Sequence, residues 1–308
     1  QGHWRGDAKI KNVFMQHIPE GATERLLLEK GDIDIARELT PTDLEGLAGN
    51  ADVKIQGDVG GQVYYLALNQ KKAELANPKV QEAMRWAIDY TGMQDSILKG
   101  LWVVHQTFLP KGFLGALDEN PSALDIEKAK ALMAESGLTL PIEIGFTVRN
   151  NQERMDIATS IQNTFAQIGI NLVLDVGDGK QGLETYRGRK HDITLQTWGP
   201  DYPDPHTNAS TFAMNPDNSD AANATGYLAW RTAWDPGADL NAETAAAVEE
   251  KDAAKRAELY GDIQRQVRDH SAFVLMFQQA RQDAMRANVS GFYAGGATDS
   301  ATYWTVTK

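Results

Sequence analysis

The sequence predicts an α/β fold too large for one core, and three observations carry that prediction. A chain of 308 residues exceeds a single hydrophobic core of ordinary size, so two lobes, or one large α/β body with appended pieces, are expected. Between residues 142 and 198, segments of period-2 apolar alternation are interleaved with an apolar stripe of helical period. No tandem repeat, low-complexity block or long linker interrupts the alternation of predicted strands and helices.

Taken in order, residues 78–98 read as a helix with Val80, Met84, Ala87 and Ile88 inward. Asp125 is placed to cap a helix over 126–136, with Gly137 as its stop. Ile142, Ile144, Phe146 and Val148 alternate as a strand. Ala158, Ile161, Phe165 and Ile168 then form one stripe of a helix over 152–168, ended by Gly169. Ile170, Leu172, Leu174 and Val176 give a second strand, residues 180–188 a short helix, and residues 191–198 a third strand. The unit is βαβαβ, which predicts parallel strands joined by right-handed crossovers. Ligands of such sheets sit beyond the carboxyl ends of strands, so the binding edge is expected after Trp198. Residues 242–270 read as helical with a bend near Lys251-Asp252. A buried strand is expected over 272–277, followed by an irregular tail with one or two short strands.

Composition excludes several function classes. Thirty Lys and Arg against 42 Asp and Glu leave a net charge of -12, and the basic residues gather nowhere, so nucleic acid is not an expected partner. The absence of Cys removes disulfides, thiolate metal sites and Cys nucleophiles together. No window reaches the run of about 18 apolar residues that a membrane-spanning helix needs. The first six residues lack the basic, apolar and small-residue organisation of an export signal.

The densest cluster of chemistry-bearing residues is Trp198-Gly199-Pro200-Asp201-Tyr202-Pro203-Asp204-Pro205-His206. Prolines restrict φ and lower the entropy lost on binding, which suits a loop that presents side chains to a ligand; a purely structural turn is the competing account. Asp201 and Asp204 supply the residue types of a glycosidase pair, but two positions on one loop seldom face each other across a bond. With His206 they supply hard metal ligands, yet nothing nearby completes a coordination sphere. The six His residues show no metalloprotease spacing, and no nucleophile elbow or phosphate loop occurs. No catalytic residue, metal or cofactor is assigned.

Several blocks together resemble the oligopeptide- and dipeptide-binding (peptide/nickel) family of extracytoplasmic receptors that serve ABC importers. Trp4-Arg5-Gly6-Asp7 with Ile10-Lys11-Asn12-Val13 is similar to the family's entry into a central strand. Leu28-Glu29-Lys30-Gly31-Asp32-Ile33-Asp34 is similar to its L-x-x-G-x-x-D signature. Tyr64 to Asn69, then Val80 to Asp89, match a strand followed by a V-R-x-A-x-x-x-A-I-D helix. Residues 109–112, the helix after Asp125, Ile168-Gly169-Ile170 and Trp198 to Pro205 complete the order.

The resemblance implies a two-lobed, periplasmic-binding-protein-like (type II) fold with part of the first lobe missing, because members are longer and the chain begins after their first third. Residues 1–60 would belong to lobe I, 61–281 form the second ligand-binding lobe, and 282–308 return to lobe I. It implies a non-enzymatic, monomeric, periplasmic or otherwise extracytoplasmic receptor that holds a small peptide and meets an ABC permease. Asp201 would pair with the ligand's α-ammonium, and Trp198 and Tyr202 would supply apolar walls. Gly199 belongs to the 195–199 segment whose main-chain groups would pair an extended ligand, while Tyr65 and Phe277 align with pocket-facing positions. Leu195 stands where some oligopeptide binders carry Arg, with Arg187 or Arg189 as substitutes. Nickel chelates, opines and oligosaccharides are alternative ligands on the same scaffold, and a carboxylate-dependent hydrolase is the remaining alternative.

Overall fold

The computed structural model describes residues 4, 6–37, 39–294 and 301–308. In chain order, α1 (Gly21–Lys30), β1 (Ile35–Ala36) and α2 (Pro41–Leu47) lead into the long strand β2 (Val53–Leu68). Then come α3 (Pro78–Trp86), α4 (Tyr90–Asp95), β3 (Trp102–Val104) and α5 (Ile126–Glu135). The next run is β4 (Ile142–Arg149), α6 (Gln152–Gln167), β5 (Ile170–Gly177), α7 (Gly179–Arg187) and β6 (Ile193–Trp198). Helices α8 (Pro205–Ala213), α9 (Leu228–Arg231), α10 (Gly237–Ala247) and α11 (Ala253–His270) precede the strands β7 (Phe273–Arg286), β8 (Tyr293–Ala294) and β9 (Ala301–Thr302).

The βαβαβ unit forms as expected. β4 pairs with β5 in parallel from Ile142↔Ile170 to Arg149↔Gly177, and with β6 at Phe146↔Ile193 and Thr147↔Thr194. The sheet is nevertheless mixed. Its order is β1-β7-β2-β6-β4-β5, with β3 also on β7, and β2 runs antiparallel to both β6 and β7. The β2–β7 ribbon pairs Val53↔Arg286 through Val59↔Ala280 and resumes at Val63↔Gln278 in a shifted register. Gly60 lies in the interruption. A Cβ there would stand 2.5 to 2.9 Å from the Gln279 side chain, so the bulge closes only around a residue without one.

Alternation along the strands feeds two cores. Leu66, Leu68, Leu195 and Met276 point into a cluster with α3, α5 and α6, while Tyr65, Ala67, Phe273 and Leu275 point into one with α8, α10 and α11. The far end of β7 repeats the device: Ala284 packs with Leu28, Leu44 and Leu47 from α1 and α2, and Met285 with Val289, Phe292 and Val306.

Four expectations change. The helix over 78–98 is two helices, because the Asp89 carboxylate accepts from the Gly92 amide and starts α4 afresh. The bend near Lys251-Asp252 is a full break, with Asp252 capping α11 through the Ala254 and Lys255 amides. Residues 10–13, matched to a strand entry, form no strand. The strand over 272–277 continues to Arg286, since β2 and β1 supply its polar second half with ladder partners. Residues 295–300 of the tail lie outside the described residues.

Candidate functional site

A cavity of about 850 Å³ opens at the amino end of α6. Arg37, Leu39, Thr40 and Pro41 line one side; Gln62, Tyr64, Trp102, Arg149, Glu153, Arg154 and Thr197 line the other, and Gln279, Arg281 and Gln282 of β7 also contribute. Asn151 starts α6 by accepting the Arg154 amide at 3.1 Å, which sets Glu153 and Arg154 in the first turn, over the cavity. The Tyr64 hydroxyl donates to Glu153 Oε1 at 2.6 Å and the Trp102 indole to Oε2 at 3.2 Å, with the two rings 4.2 Å apart. Burial first, and the Glu153 charge second, push the Tyr64 phenol well above its ordinary pKa, so it remains a donor. Arg154 donates Nη1 to the Leu195 carbonyl and Nη2 to Thr197 Oγ1, both at 3.0 Å, and its guanidinium lies 5.3 Å from the Tyr64 ring centre. On the opposite wall Arg37 and Arg281 flank the buried Asp283 at 3.7 and 3.0 Å.

The cavity adjoins an open strand edge. β6 is fully paired with β2, but β4 reaches its other side only at Ile193 and Thr194. A strand residue's amide and carbonyl point to one edge, and the direction alternates. With the Leu195 carbonyl turned toward Arg154, the main-chain groups of Thr197 and Gly199 share that open edge.

The residues singled out in the sequence divide. Gly199 lies against Gln62 of the cavity wall, where a Cβ would come within 2.9 Å of Gln62 Cγ. Trp198 alternates away from Thr197 and presents its ring to Phe212 at 5.9 Å in the second core. Asp201 and Tyr202 are exposed beyond the end of β6. Asp204 is committed elsewhere: it caps α8 through the His206 amide at 2.8 Å and takes both bonds from Arg256 Nη2 at 3.0 and 3.1 Å. Desolvation raises its pKa, but the Arg256 and His206 bonds outweigh it and hold the carboxyl below its usual range. Those bonds remove Asp204 from the carboxylate pair and the metal set considered from sequence.

Tyr65 is buried between Phe212 and Phe273, and Phe277 is buried beside Tyr90. Neither reaches the cavity, because the strand alternation and the register shift after Tyr64 turn both rings into cores. Arg189 is likewise internal, bonded to Asn218 and Asp220 and stacked on Trp230. Sequence reasoning passed over Glu153, Arg154, Tyr64 and Trp102. The one available signal was the polar pair Glu153-Arg154 at the start of a helix that follows a parallel strand.

The model of bacterial extracellular solute-binding proteins, family 5 (middle), matches residues 1–220. The chain belongs to this family. This family 5 chain is 28% identical over 297 residues to the probable D,D-dipeptide-binding periplasmic protein of Escherichia coli, covering 94% of itself and 55% of the relative. It is also 28% identical over 294 residues to the nickel-binding periplasmic protein of the same organism, covering 89% and 54%. It therefore spans little more than half the length of these curated relatives. Among solved structures it superimposes on a peptide-bound periplasmic binding protein of Helicobacter pylori with a TM-score of 0.82 at 21% identity, covering 94% of this chain and 55% of that one. A dipeptide-binding protein from Pseudoalteromonas in complex with Met-Leu gives 0.80 at 20% identity, covering 94% and 57%. The family 5 fold is the type II periplasmic-binding-protein-like α/β architecture, represented here by part of its length. Among the described residues no helix is long and apolar enough to cross a membrane.

Proposed function

We propose that the intact protein is the extracytoplasmic substrate-binding receptor of an ABC importer, taking a peptide-like ligand between two lobes and passing it to a membrane permease without chemical change. The observation that carries this reading is the open edge of β6 beside a cavity that bears charges of both signs. An extended ligand would add to that edge through Thr197 and Gly199, which gives affinity with little dependence on side chains. Arg149, exposed and without a carboxylate partner among the described residues, suits the ligand's carboxylate. Asp201, exposed beyond the strand and without an ion-pair partner among the described residues, suits its α-ammonium, with the exposed Tyr202 next to it in the loop.

In this reading residues 1–60 and 282–308 belong to one lobe and 61–281 to the other. The β2–β7 ribbon crosses between them at the Val59/Val63 register shift. The likeness to dipeptide-binding periplasmic relatives supports the reading. Calorimetry of the intact protein with a series of dipeptides tests it. Asp201→Asn is expected to weaken binding by about one to two decades, the loss of one charge-assisted hydrogen bond. Unchanged affinity would remove Asp201 from the site.

A further inference from the structure

Glu153 is the feature of the cleft that the proposed peptide contacts leave unused. Its carboxylate is held by two neutral donors, the Tyr64 hydroxyl and the Trp102 indole, which fix its position without cancelling its charge. Two of a carboxylate's roughly four lone-pair directions are thereby occupied and two remain. The adjacent guanidinium does not neutralise it, because Arg154 is directed to the Leu195 carbonyl and the Thr197 hydroxyl, both uncharged acceptors. Arg37 and Arg281 belong to Asp283 across the cavity. Asp156, the other carboxylate of the lining, stays charged as it accepts from the Gln152 side-chain amide one turn along α6, but no aromatic donors fix it as they fix Glu153. The α6 side thus carries a fixed negative charge at Glu153, with the Arg149 guanidinium on the same lining for a ligand carboxylate. Leu39, Ile97, Leu101 and Trp102 add apolar surface to the same cavity.

An anion fixed beside apolar surface is the complement of an ammonium at the end of a methylene stem. Asp201 cannot be its duplicate. It stands outside the cavity lining, in the bend that follows the end of β6, whereas Glu153 lies in the first turn of α6 within the lining.

We propose that Glu153 is a specificity-determining residue of the cleft, selecting ligands that carry a second cation, an ammonium on an aliphatic stem such as a lysine side chain, beyond the α-ammonium taken by Asp201. The proposal rests on the reading of this cleft as the ligand site. Tyr64 and Trp102 are its positioning residues, holding the carboxylate toward the cavity in place of a free rotamer.

Calorimetry with alanyl-lysine and alanyl-norleucine tests the idea, because the two differ by a terminal ammonium on an otherwise matched stem. The intact wild-type protein is expected to prefer alanyl-lysine by about tenfold or more. Glu153→Gln, which keeps an acceptor for Tyr64, is expected to bring the ratio to about one, whereas Asp201→Asn weakens both ligands and preserves the ratio. Equal wild-type affinities, or a preference that survives Glu153→Gln, would overturn the proposal and leave the peptide reading standing. Failure of both dipeptides to bind would overturn the proposal together with the reading beneath it. Should that variant not fold, Glu153→Asp, which withdraws the carboxylate by one methylene, is expected to reduce the preference, and an undiminished preference would overturn the proposal. A melting temperature lowered by Glu153→Gln with the preference intact would make the residue purely structural.

Discussion

Asp201 and Asp204 stand three positions apart in one proline-held loop and meet opposite fates. Asp204 is consumed by the start of α8 and by Arg256, 52 residues further along the chain, while Asp201 is left to solvent. The sequence displayed both carboxylates but not the distant guanidinium that separates their roles. Removing the cap is expected to destabilise the protein by about 1 kcal/mol in Asp204→Ala, read from urea unfolding, with a further loss from the stranded Arg256. Tyr65 and Phe277 teach the same lesson: family position suggested a pocket, and the side to which a strand residue turns is fixed by a bulge that no local pattern reveals. Two histidines supply a pH dependence. Burial lowers His105 and His191 from the ordinary 6.5 to about 4. The unfolded chain therefore binds more protons between those values, so this contribution is complete above pH 6.5 and is lost as the pH falls toward 4. The expected slope is about 1.4 kcal/mol per pH unit for each ring. Among the described residues His191 finds no hydrogen-bond partner for either ring nitrogen, and it packs edge-on against Tyr186. His191→Phe should therefore flatten the fall in urea midpoint between pH 6.5 and 4 relative to wild type, and an unaltered slope would exclude it as a source.

The elements that sequence resolved are those with one buried and one polar side. Strands β4, β5 and β6 and helix α6 lie against a single large core, so their apolar period survives into the residue order. The long strands β2 and β7 were seen only in part. In β2 the alternation of Val53, Ile55 and Val59 is interrupted at Gly57, and Gln278 to Asp283 leave that stretch of β7 without apolar alternation. Its ladder holds because each strand supplies the other's main-chain partners. At its midpoint Gln278 donates from Nε2 to the Gly60 carbonyl and its Oε1 accepts the Lys111 amide, pinning the bulge from a neighbouring loop. Gly60→Val would drive a branched side chain against Gln279, and a destabilisation of about 1 to 3 kcal/mol is expected by chemical denaturation. If the variant matched wild type, the interruption would be more yielding than its contacts imply.

At the scale of the molecule, the cavity had no local signature because its walls come from residues as far apart as Arg37 and Gln282. What could be read in the sequence was the family order of blocks and the binding edge after Trp198. The charges inside the cleft emerged only once α6 was set against β2 and β3. If ligand draws two lobes together, small-angle scattering of the intact protein should show a smaller radius of gyration with bound dipeptide, and superimposable profiles would count against closure. The crossing between the proposed lobes is made by two strands bonded side by side up to and again beyond the Val59/Val63 register shift. A lone strand would be a swivel, free to bend and twist in every sense. A paired ribbon resists sliding and in-plane bending through its ladder and yields chiefly by flexing out of its own plane. Motion about it reduces to nearly one coordinate, so a single spin-label distance across the cleft would follow the whole transition.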